Sequence, residues 1–549
     1  MTLKFGIQKD AHLQAWQLGC VKNLELSGLA QLHCVIESTD EISEGKETLL
    51  NPFADFLRVL DPPSQRYVPT TVLSPKQPNT DTTAEVCDPQ LDFILSFCNK
   101  DLALPLVPVS KYGVWYFVHS DIAKFDSPAP CFWEIYYGDD VTGAVLLKLV
   151  DDSTAGIPLR SGYFSTDHTS LVKSVETVFD SLPLWPAFVC REINRGTFTS
   201  LTASPVADAP KHYGFPTLSQ LQVLKKLTHR NKKILDRQNR FCDIDWNIGR
   251  LNGDVGSCVA QESCIVPTVS IFCSYSRGQY LADPCLFTKD YRQFVFCELY
   301  DYTSNKGTIA VFELKDDRPL GLQVVIEEPG HLSYPQVFEY ADSIYCMPES
   351  ADARQVNLYK ATDFPSRWEK VHTLLDDIAA VDTTLLSFEN KWWLFFTDGE
   401  ARRFNSHLHI WYASDLFGSW QPHVRNPVKI DVRSALSAGQ FFWHENCLYR
   451  PTQDCSRTYG GQININKVNK LSEWEFEESR VATIAPPSGK YSQGIHTLSS
   501  TEGYSVVDVK RYVFNPSKLI GAFRQTAKNT ALKLGVPEET IRRLKQRIG

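Results

Sequence analysis

The sequence predicts a multidomain chain, an α/β doubly wound domain followed by an all-β five-bladed propeller. Two observations carry the prediction. Over residues 1 to about 200, short apolar strands alternate with segments of helical period, the pattern of a parallel sheet covered by helices. From Ala282 to Lys510 a different unit recurs: a strand, a short polar turn, and an aromatic-rich strand ending in an acid. Its period of roughly 50 residues is that of one four-stranded blade. A blade cannot bury both faces alone, so copies stack around an axis. The expected boundaries are 1–200 for the α/β domain, 201–267 for a helical connector, 268–513 for the propeller and 514–549 for basic C-terminal helices.

Composition limits the possible functions. The chain has 549 residues, too many for one core. Its 43% hydrophobic and 12% aromatic content is that of a globular protein. A net charge of -8 argues against general nucleic-acid binding, though not against a local basic patch. The 15 cysteines show no Cys-x-x-Cys spacing and several fall inside apolar strands, so they read as reduced core residues and not as metal ligands. No signal peptide opens the chain and no apolar run is long enough for a bilayer, so a cytoplasmic protein is expected.

In chain order, Leu3–Ile7 reads as a strand, His12–Leu26 as a helix, Gln31–Glu37 as a strand, 51–83 as an insertion, and Leu91–Phe97 as a buried strand. No Gly-x-Gly-x-x-Gly fingerprint supports a dinucleotide site. Residues 203–210 have linker composition. Thr217 caps a helix to Arg240 with a dense basic face (Lys225, Lys226, Arg230, Lys232, Lys233), either solvated or facing an anionic ligand or membrane headgroup. Asp243–Gly249 begins the propeller or supplies its closing strand. Asn515–Gly549 reads as basic amphipathic helix, able to pack on a domain or to contact a membrane peripherally.

Within the propeller repeat, Asp283 and Asp382 occupy one position in copies one and three. Glu298, Glu349, Asp398, Asp454 and Asp508 occupy the end of the second strand in all copies. First strands line the axis, so these acids are expected to converge at one mouth of the channel. Strand-end acids also satisfy turns or pair with arginines, and any single one is open to that reading.

Two resemblances add expectations. Tyr112–Asp121, Pro130-Cys-Phe-Trp133, Gly138-Asp-Asp-Val-Thr-Gly143 and Asp151–Gly156 resemble the formyltransferase family, over roughly residues 1–200. That resemblance implies a doubly wound fold and, for an active domain, 10-formyltetrahydrofolate as cofactor. The family's catalytic His falls at Val118 or His119, its Asn at Tyr116 or Phe117, its Arg at Asp126 and its catalytic Asp at Thr154. His119, Asp121 and Asp151 remain as a possible remnant, and a degenerate domain is expected, with no certain cofactor.

The second resemblance covers most of 268–513. Its carriers are Ala282-Asp283-Pro284, Glu328-Pro-Gly-His331-Leu-Ser-Tyr334-Pro335, Met347-Pro-Glu349, Val381-Asp382-Thr-Thr, Arg433-Ser-Ala and Tyr449-Arg450-Pro-Thr-Gln-Asp454. This looks like the N-terminal domain of plant glucosamine inositolphosphorylceramide transferases and, more distantly, five-bladed family 43 glycoside hydrolases. It implies Asp283 as base, with Asp382 and Glu349 as pKa-tuning Asp and acid. His331, Tyr334, Arg433, Arg450, Asp454 and His496 are the candidate binders of sugar or phosphate. Inverting glycosyl chemistry needs one protonated and one ionised carboxyl, ~6.5–9.5 Å apart. Three readings stand: a carbohydrate-active enzyme of glycan or glycolipid assembly, an active sugar N-formyltransferase, and a non-catalytic glycan-binding scaffold.

Overall fold

The computed structural model describes residues 2–9, 13–37, 72–73, 91–98, 100–149, 156–198, 211–252, 255–260, 264–272, 278–400, 403–501, 503–516 and 518. The insertion at 51–83, the linker 203–210, Asp151, Thr154 and the C-terminal helices therefore lie almost wholly outside the described residues.

The α/β domain holds a seven-stranded sheet. From one edge its strands are Val72–Leu73, Ala30–Glu37, Leu3–Lys9, Phe93–Ser96, Val114–Val118, Val141–Leu149 and Ile157–Ser165. The first five are mutually parallel. Val141–Leu149 runs antiparallel to both of its neighbours, so the sheet is mixed and not all-parallel. The central strands are apolar on both faces, one packed into the main helical core and the other against the short segment Lys100–Val109. Trp115 stacks on Phe93 at 3.9 Å, and Phe93 on Phe5 at 5.4 Å. Helices Ala15–Leu26, Leu171–Ser181 and Trp185–Arg195 contribute Trp16, Val178 and Trp185 to the same core.

Five antiparallel blades follow. Blade 1 is built from Gln279–Lys289, Arg292–Asp301, Lys306–Lys315 and Arg318–Ile326. Blade 2 is built from Ser333–Tyr340, Ser343–Glu349, Gln355–Asp363 and Arg367–Asp376. Blade 3 comprises Ala380–Phe388, Lys391–Asp398 and His407–Ala413, with Gln421–Pro422 and Lys429–Ile430 at its edge. Blade 4 runs from a short inner strand, Phe442–His444, through Cys447–Asp454 and Gln462–Leu471 to Phe476–Ile484. The first hairpin of blades 1, 2, 3 and 4 turns on two residues of positive φ, such as Asp290-Tyr291 and Glu389-Asn390, which matches the twist of the flanking strands.

Ring closure places the boundary differently from the sequence reading. Blade 5 pairs Gly494–Thr501 and Tyr504–Phe514 with Cys242–Asn252 and Thr268–Ile271, which precede blade 1 in the chain. Cys264–Ile265 adds an outer strand to blade 4. The span 201–267 is thus a connector only as far as the helix Leu218–Phe241, and the propeller begins at Cys242.

The α/β domain docks on blades 3 and 4. Tyr163 forms a parallel bridge with Asp431, and the Arg433 guanidinium lies 4.2 Å from the Tyr163 ring centre. Ser165 Oγ donates to the Ser456 carbonyl at 2.8 Å, Ser181 Oγ meets His407 Nε2 at 2.8 Å, and Arg425 reaches the Thr197 carbonyl at 3.0 Å. Ile430 of the propeller belongs to the α/β core.

Inside the ring, the inner strands share one irregularity. Their pairing with the second strand slips between Ala282 and Cys285, Ser333 and Gln336, Val381 and Thr384, and Ile495 and Leu498. At the slip the backbone turns left-handed, with φ of 52° at Asp283, 43° at Tyr334 and 47° at Asp382, and blade 4 has Gly439 at 118°. These are β-bulges, which re-aim a side chain. A Cβ on Gly439 would lie 1.8 Å from the Leu498 carbonyl oxygen of the neighbouring blade. Gly439→Ala is therefore expected to cost upward of about 3 kcal/mol and to lower the propeller's melting temperature in calorimetry. Gly214→Ala, where an added Cβ meets nothing within 4 Å, is the neutral control.

Candidate functional site: a carboxyl-lined propeller mouth

The bulges bring acids to one mouth of the channel, around a cavity of about 230 Å³ lined by Asp283, Glu298, Glu349, Asp382, His331 and His496. Trp246, Tyr280, Phe404 and Tyr459 supply its aromatic wall, with Ser333 and Val381 completing the lining. Phe404 and Tyr459 stand at its rim with 37% and 41% exposure, whereas Trp246 is buried against His496 at 3.9 Å and 20°.

One side of the cavity is an Asp–His–Asp chain. Asp283 Oδ1 accepts from Thr497 Oγ1 at 2.9 Å and lies 3.3 Å from His496 Nε2. His496 Nδ1 meets Asp508 Oδ1 at 2.7 Å. Burial opposes charge on His496, but Asp508 and Asp283 outweigh it and raise the imidazole pKa. Burial raises the Asp283 pKa, and Asp508 adds to this while His496 counters it. Asp283, His496 and Asp508 hold ligand atoms within 4.8 Å of one another, the spacing of a metal site. Both imidazole nitrogens already face carboxylates, so the group is complete as a hydrogen-bonded chain.

The other side is a carboxyl pair. Glu349 Oε2 accepts from the Asp382 backbone N–H at 2.7 Å, and Asp382 Oδ2 accepts from Gln453 Nε2 at 2.7 Å. Burial lifts Glu349 to about 7, and Asp283 and Asp352 add to the rise. Burial raises Asp382 well above the carboxyl range, helped by Glu349 and Asp283. With the two carboxyls buried side by side, charge on one opposes charge on the other, so the pair retains a proton. Between the two sides stands Glu298. Its Oε1 has no hydrogen-bond partner and lies 3.4 Å from His331 Nε2. Burial, then Asp283, Glu349 and Asp508, hold its pKa well up.

A chain of hydrogen bonds ties the bulges to each other. The Asp283 N–H donates to Asp508 of blade 5 at 2.8 Å, and the Tyr334 N–H to Asp283 of blade 1 at 3.2 Å. The Asp382 N–H donates to Glu349 of blade 2, and the Gly439 N–H to the Tyr334 hydroxyl.

Asp283, Asp382, Glu349, His331 and His496, all named from sequence, meet at this mouth. Tyr334, a candidate binder, lies deeper, 4% exposed, its hydroxyl engaged with Thr384 and Gly439, so it is held in the channel floor. Three sequence candidates lie elsewhere. Arg433 is held by Asp431 at 2.8 Å in the interdomain contact. Arg450 is fully buried on Glu478 at 2.7 Å and on the Ser434 and Ala435 carbonyls. Burial would raise Glu478, but Arg450 and Lys429 hold it down to about 2. Asp454 accepts from the Ser456 N–H and from Gln462.

The expected ring of strand-end acids is only partly formed. Glu298 and Glu349 pair with Ala282 and Ser333, the residues just before their bulges. In blade 3 that place is taken by Thr397, opposite Val381. Asp398 is one residue off, hence on the other face of the strand, where it pairs with Arg403 at 3.1 Å. Asp508 sits opposite the slip between Ile495 and Leu498, and there it reaches the axis.

Trp246, Tyr280, Phe404 and Tyr459 were not among the candidates. Trp246 was detectable, since it lies in the segment read as a closing strand. Phe404 and Tyr459 come from loops that carry no repeat signal.

In the α/β domain, His119 is packed between Trp16, Phe117 and Phe179. Its Nε2 has no hydrogen-bond partner, and burial lowers its pKa to about 4. Asp121 is 5% exposed, its carboxylate accepting from the Ala123 N–H at 3.1 Å. Asp151 lies outside the described residues, so two of the three remnant groups can be placed and they form no acid–base pair with each other.

The propeller defines the class of this region. Residues 255–501 match the family described as glucosamine inositolphosphorylceramide transferase 1, N-terminal. Glucosamine inositolphosphorylceramide transferase 1 of Arabidopsis thaliana is 35% identical over 252 residues, 43% of this chain and 32% of that one. The protein of the same name from Oryza sativa subsp. japonica is 34% identical over 239 residues, 42% of this chain and 32% of that one. The chain spans about a third of the length of these relatives. Among solved structures, a family 117 glycoside hydrolase, Zg3597, from Zobellia galactanivorans aligns with 49% of this chain and 90% of its own at 11% identity and a TM-score of 0.33. A GH43_1 enzyme from Xanthomonas citri aligns with 46% of this chain and 93% of its own at 10% identity and a TM-score of 0.32.

Burial and the neighbouring carboxyls make Glu298 hold its proton to higher pH in the fold than in the unfolded chain. The folded state therefore binds the extra proton, and this group's contribution falls as pH rises above the ordinary carboxyl value. Glu298→Gln is expected to raise the propeller's melting temperature by a few degrees at pH ~8 and to change it little at pH ~5, read by scanning calorimetry.

Proposed function

We propose that this is a carbohydrate-active protein of glycan or glycolipid assembly, and that the propeller mouth binds a sugar and moves a glycosyl group. The observation that carries the reading is the pairing across one cavity of a proton-sharing Glu349–Asp382 couple with Asp283, which is charge-paired to His496. The relatives are named for glucosamine and inositolphosphorylceramide, so the substrate class carried over is a sugar and a phosphorylated lipid.

The chemistry follows from the two sides. Glu349 carries the proton needed by the leaving glycosidic oxygen, and Asp382 adjusts how tightly it is held. Asp283, kept near a positive imidazole, accepts the proton of the attacking hydroxyl. Tyr459 and Phe404 offer flat apolar faces at the rim for the sugar ring, and His331 offers a polar edge inside. Transfer is favoured over hydrolysis because the named relatives are transferases.

The test is calorimetric binding of a panel of sugars, nucleotide sugars and sugar-phosphate lipids, followed by a search for transfer products. Glu349→Gln is expected to lower kcat by ~10²–10⁴ while leaving sugar affinity within about threefold. The wild-type rate should fall as pH rises through about 7, where Glu349 loses its proton, and Glu349→Gln should remove that limb. Asp283→Asn should abolish turnover. Sugar binding that survives every carboxylate substitution, without turnover in the wild type, would leave a glycan-binding module in place of an enzyme.

A further inference from the structure

The connector helix Leu218–Phe241 is 24 residues long, yet only Leu224 on it is buried. With 3.6 residues per turn, Leu221, Leu224, Thr228 and Asn231 share the face turned to the protein. Lys226, Arg230, Lys233, Arg237 and Arg240 recur at spacings of four and three on the opposite face, and all are exposed. The helix carries seven Lys and Arg against one acid, Asp236, in a chain of net charge -8. Along one flank of the basic stripe run Val223 and Ile234, 40% and 60% exposed.

The place of this helix in the fold matters as much as its charge. It leads directly into Cys242–Asn252, which pairs with Tyr504–Phe514 from Cys242↔Phe514 through Trp246↔Lys510. Trp246 is a wall of the sugar cavity, so the ribbon rises on the mouth side and Cys242 stands roughly 13 Å beyond Trp246 at ~3.3 Å per residue. Its tip exposes Ile244 (41%), Val513 (37%) and Phe514 (55%). Lys518 closes the tip by donating to the Cys242 carbonyl at 2.7 Å. The basic helix thus runs straight into a ribbon whose exposed apolar tip stands on the side where the cavity opens.

We infer that this surface docks on an anionic lipid bilayer, with the basic stripe against headgroups and the ribbon-tip side chains in the interface. Amphipathic elements of this composition bind bilayers by charge attraction plus shallow apolar burial. The remaining chain does not fit as the occupant. Residues 519–549 hold seven Lys and Arg against Glu538 and Glu539, so they repel the stripe and add to the same attraction. Nucleic acid fits less well, because the neighbouring cavity is lined by carboxyls and a phosphate backbone gives Phe514 and Ile234 nothing to bury against. The inference deepens the glycolipid reading, since a lipid-borne sugar must be met at a surface. Its test uses no glycolipid, so it fails or holds independently of that reading.

The test is flotation of the full chain with vesicles of phosphatidylcholine alone and with about 30 mol% phosphatidylserine, at low salt and at ~0.5 M NaCl where surface charges are screened. The wild type should float with the anionic vesicles only and be released by salt. The combined variant K226E/R230E/K233E/R237E should lose about a hundredfold or more in partitioning, since each basic residue near such a surface contributes roughly a fivefold factor. Phe514→Ser should lose about tenfold through its apolar contact alone. Unchanged melting temperature and unchanged sugar binding in these variants show that the fold is intact. Failure of the wild type to float with anionic vesicles, or equal flotation of the quadruple variant, would overturn the inference. So would tighter binding to duplex DNA than to vesicles with no effect of Phe514→Ser.

Discussion

Capping of the backbone turns at Asp283, Tyr334, Asp382 and Gly439 by a side chain from a preceding blade is the interaction on which the rest of the propeller depends. A left-handed turn at a non-glycine residue costs on the order of 1–3 kcal/mol and persists only when its surroundings hold it. Here Asp508 holds the turn at Asp283, Asp283 that at Tyr334, Glu349 that at Asp382, and the Tyr334 hydroxyl that at Gly439. The acids at the mouth are thus mortar between blades as well as candidate chemical groups. Their crowding follows from this role: an acid that caps a neighbour's backbone must sit at the axis, and the axis has room for few charges. Raised pKa values at Glu298, Glu349 and Asp382 are the electrostatic result.

The same geometry separates what the two ends of the cavity can do. A carboxylate charge-paired with an imidazolium keeps its negative charge inside the protein. A carboxyl buried beside another carboxyl keeps a proton near neutrality. Both behaviours are set by which blade supplies the neighbour, so the division of labour is written into the ring order and not into any one blade. The α/β domain adds two rim contacts of its own, because its docking on Asp431 and Ser456 braces the loops that carry Phe404 and Tyr459.

Much of this was legible in the sequence because the repeat is periodic. Asp283 and Asp382 align within their units, and both meet the cavity. His331 and His496 stood next to the same motifs. Legibility failed where one residue of register decides the outcome. Asp398 matches Glu349 by eye, yet a single-position offset turns it to the other face of its strand. Arg450 and Asp454 follow a recognisable motif, but their partners, Glu478 and Gln462, lie on other strands and no local pattern reveals them. The antiparallel strand Val141–Leu149 was hidden for a related reason. A strand buried on both faces reads the same in either direction.

The seam in blade 5 sets a timetable for the molecule. Cys242–Asn252 waits for Tyr504–Phe514, made more than 250 residues later, before its main partner exists. At roughly 5–20 residues per second, that is a wait on the order of 10–50 seconds during synthesis. Throughout it a strand edge rich in hydrogen-bonding groups stands open, and a neighbouring nascent chain has the same edge to offer. A protein closed this way is finished by its last strand, and its vulnerability to mispairing is concentrated in the interval before that strand arrives.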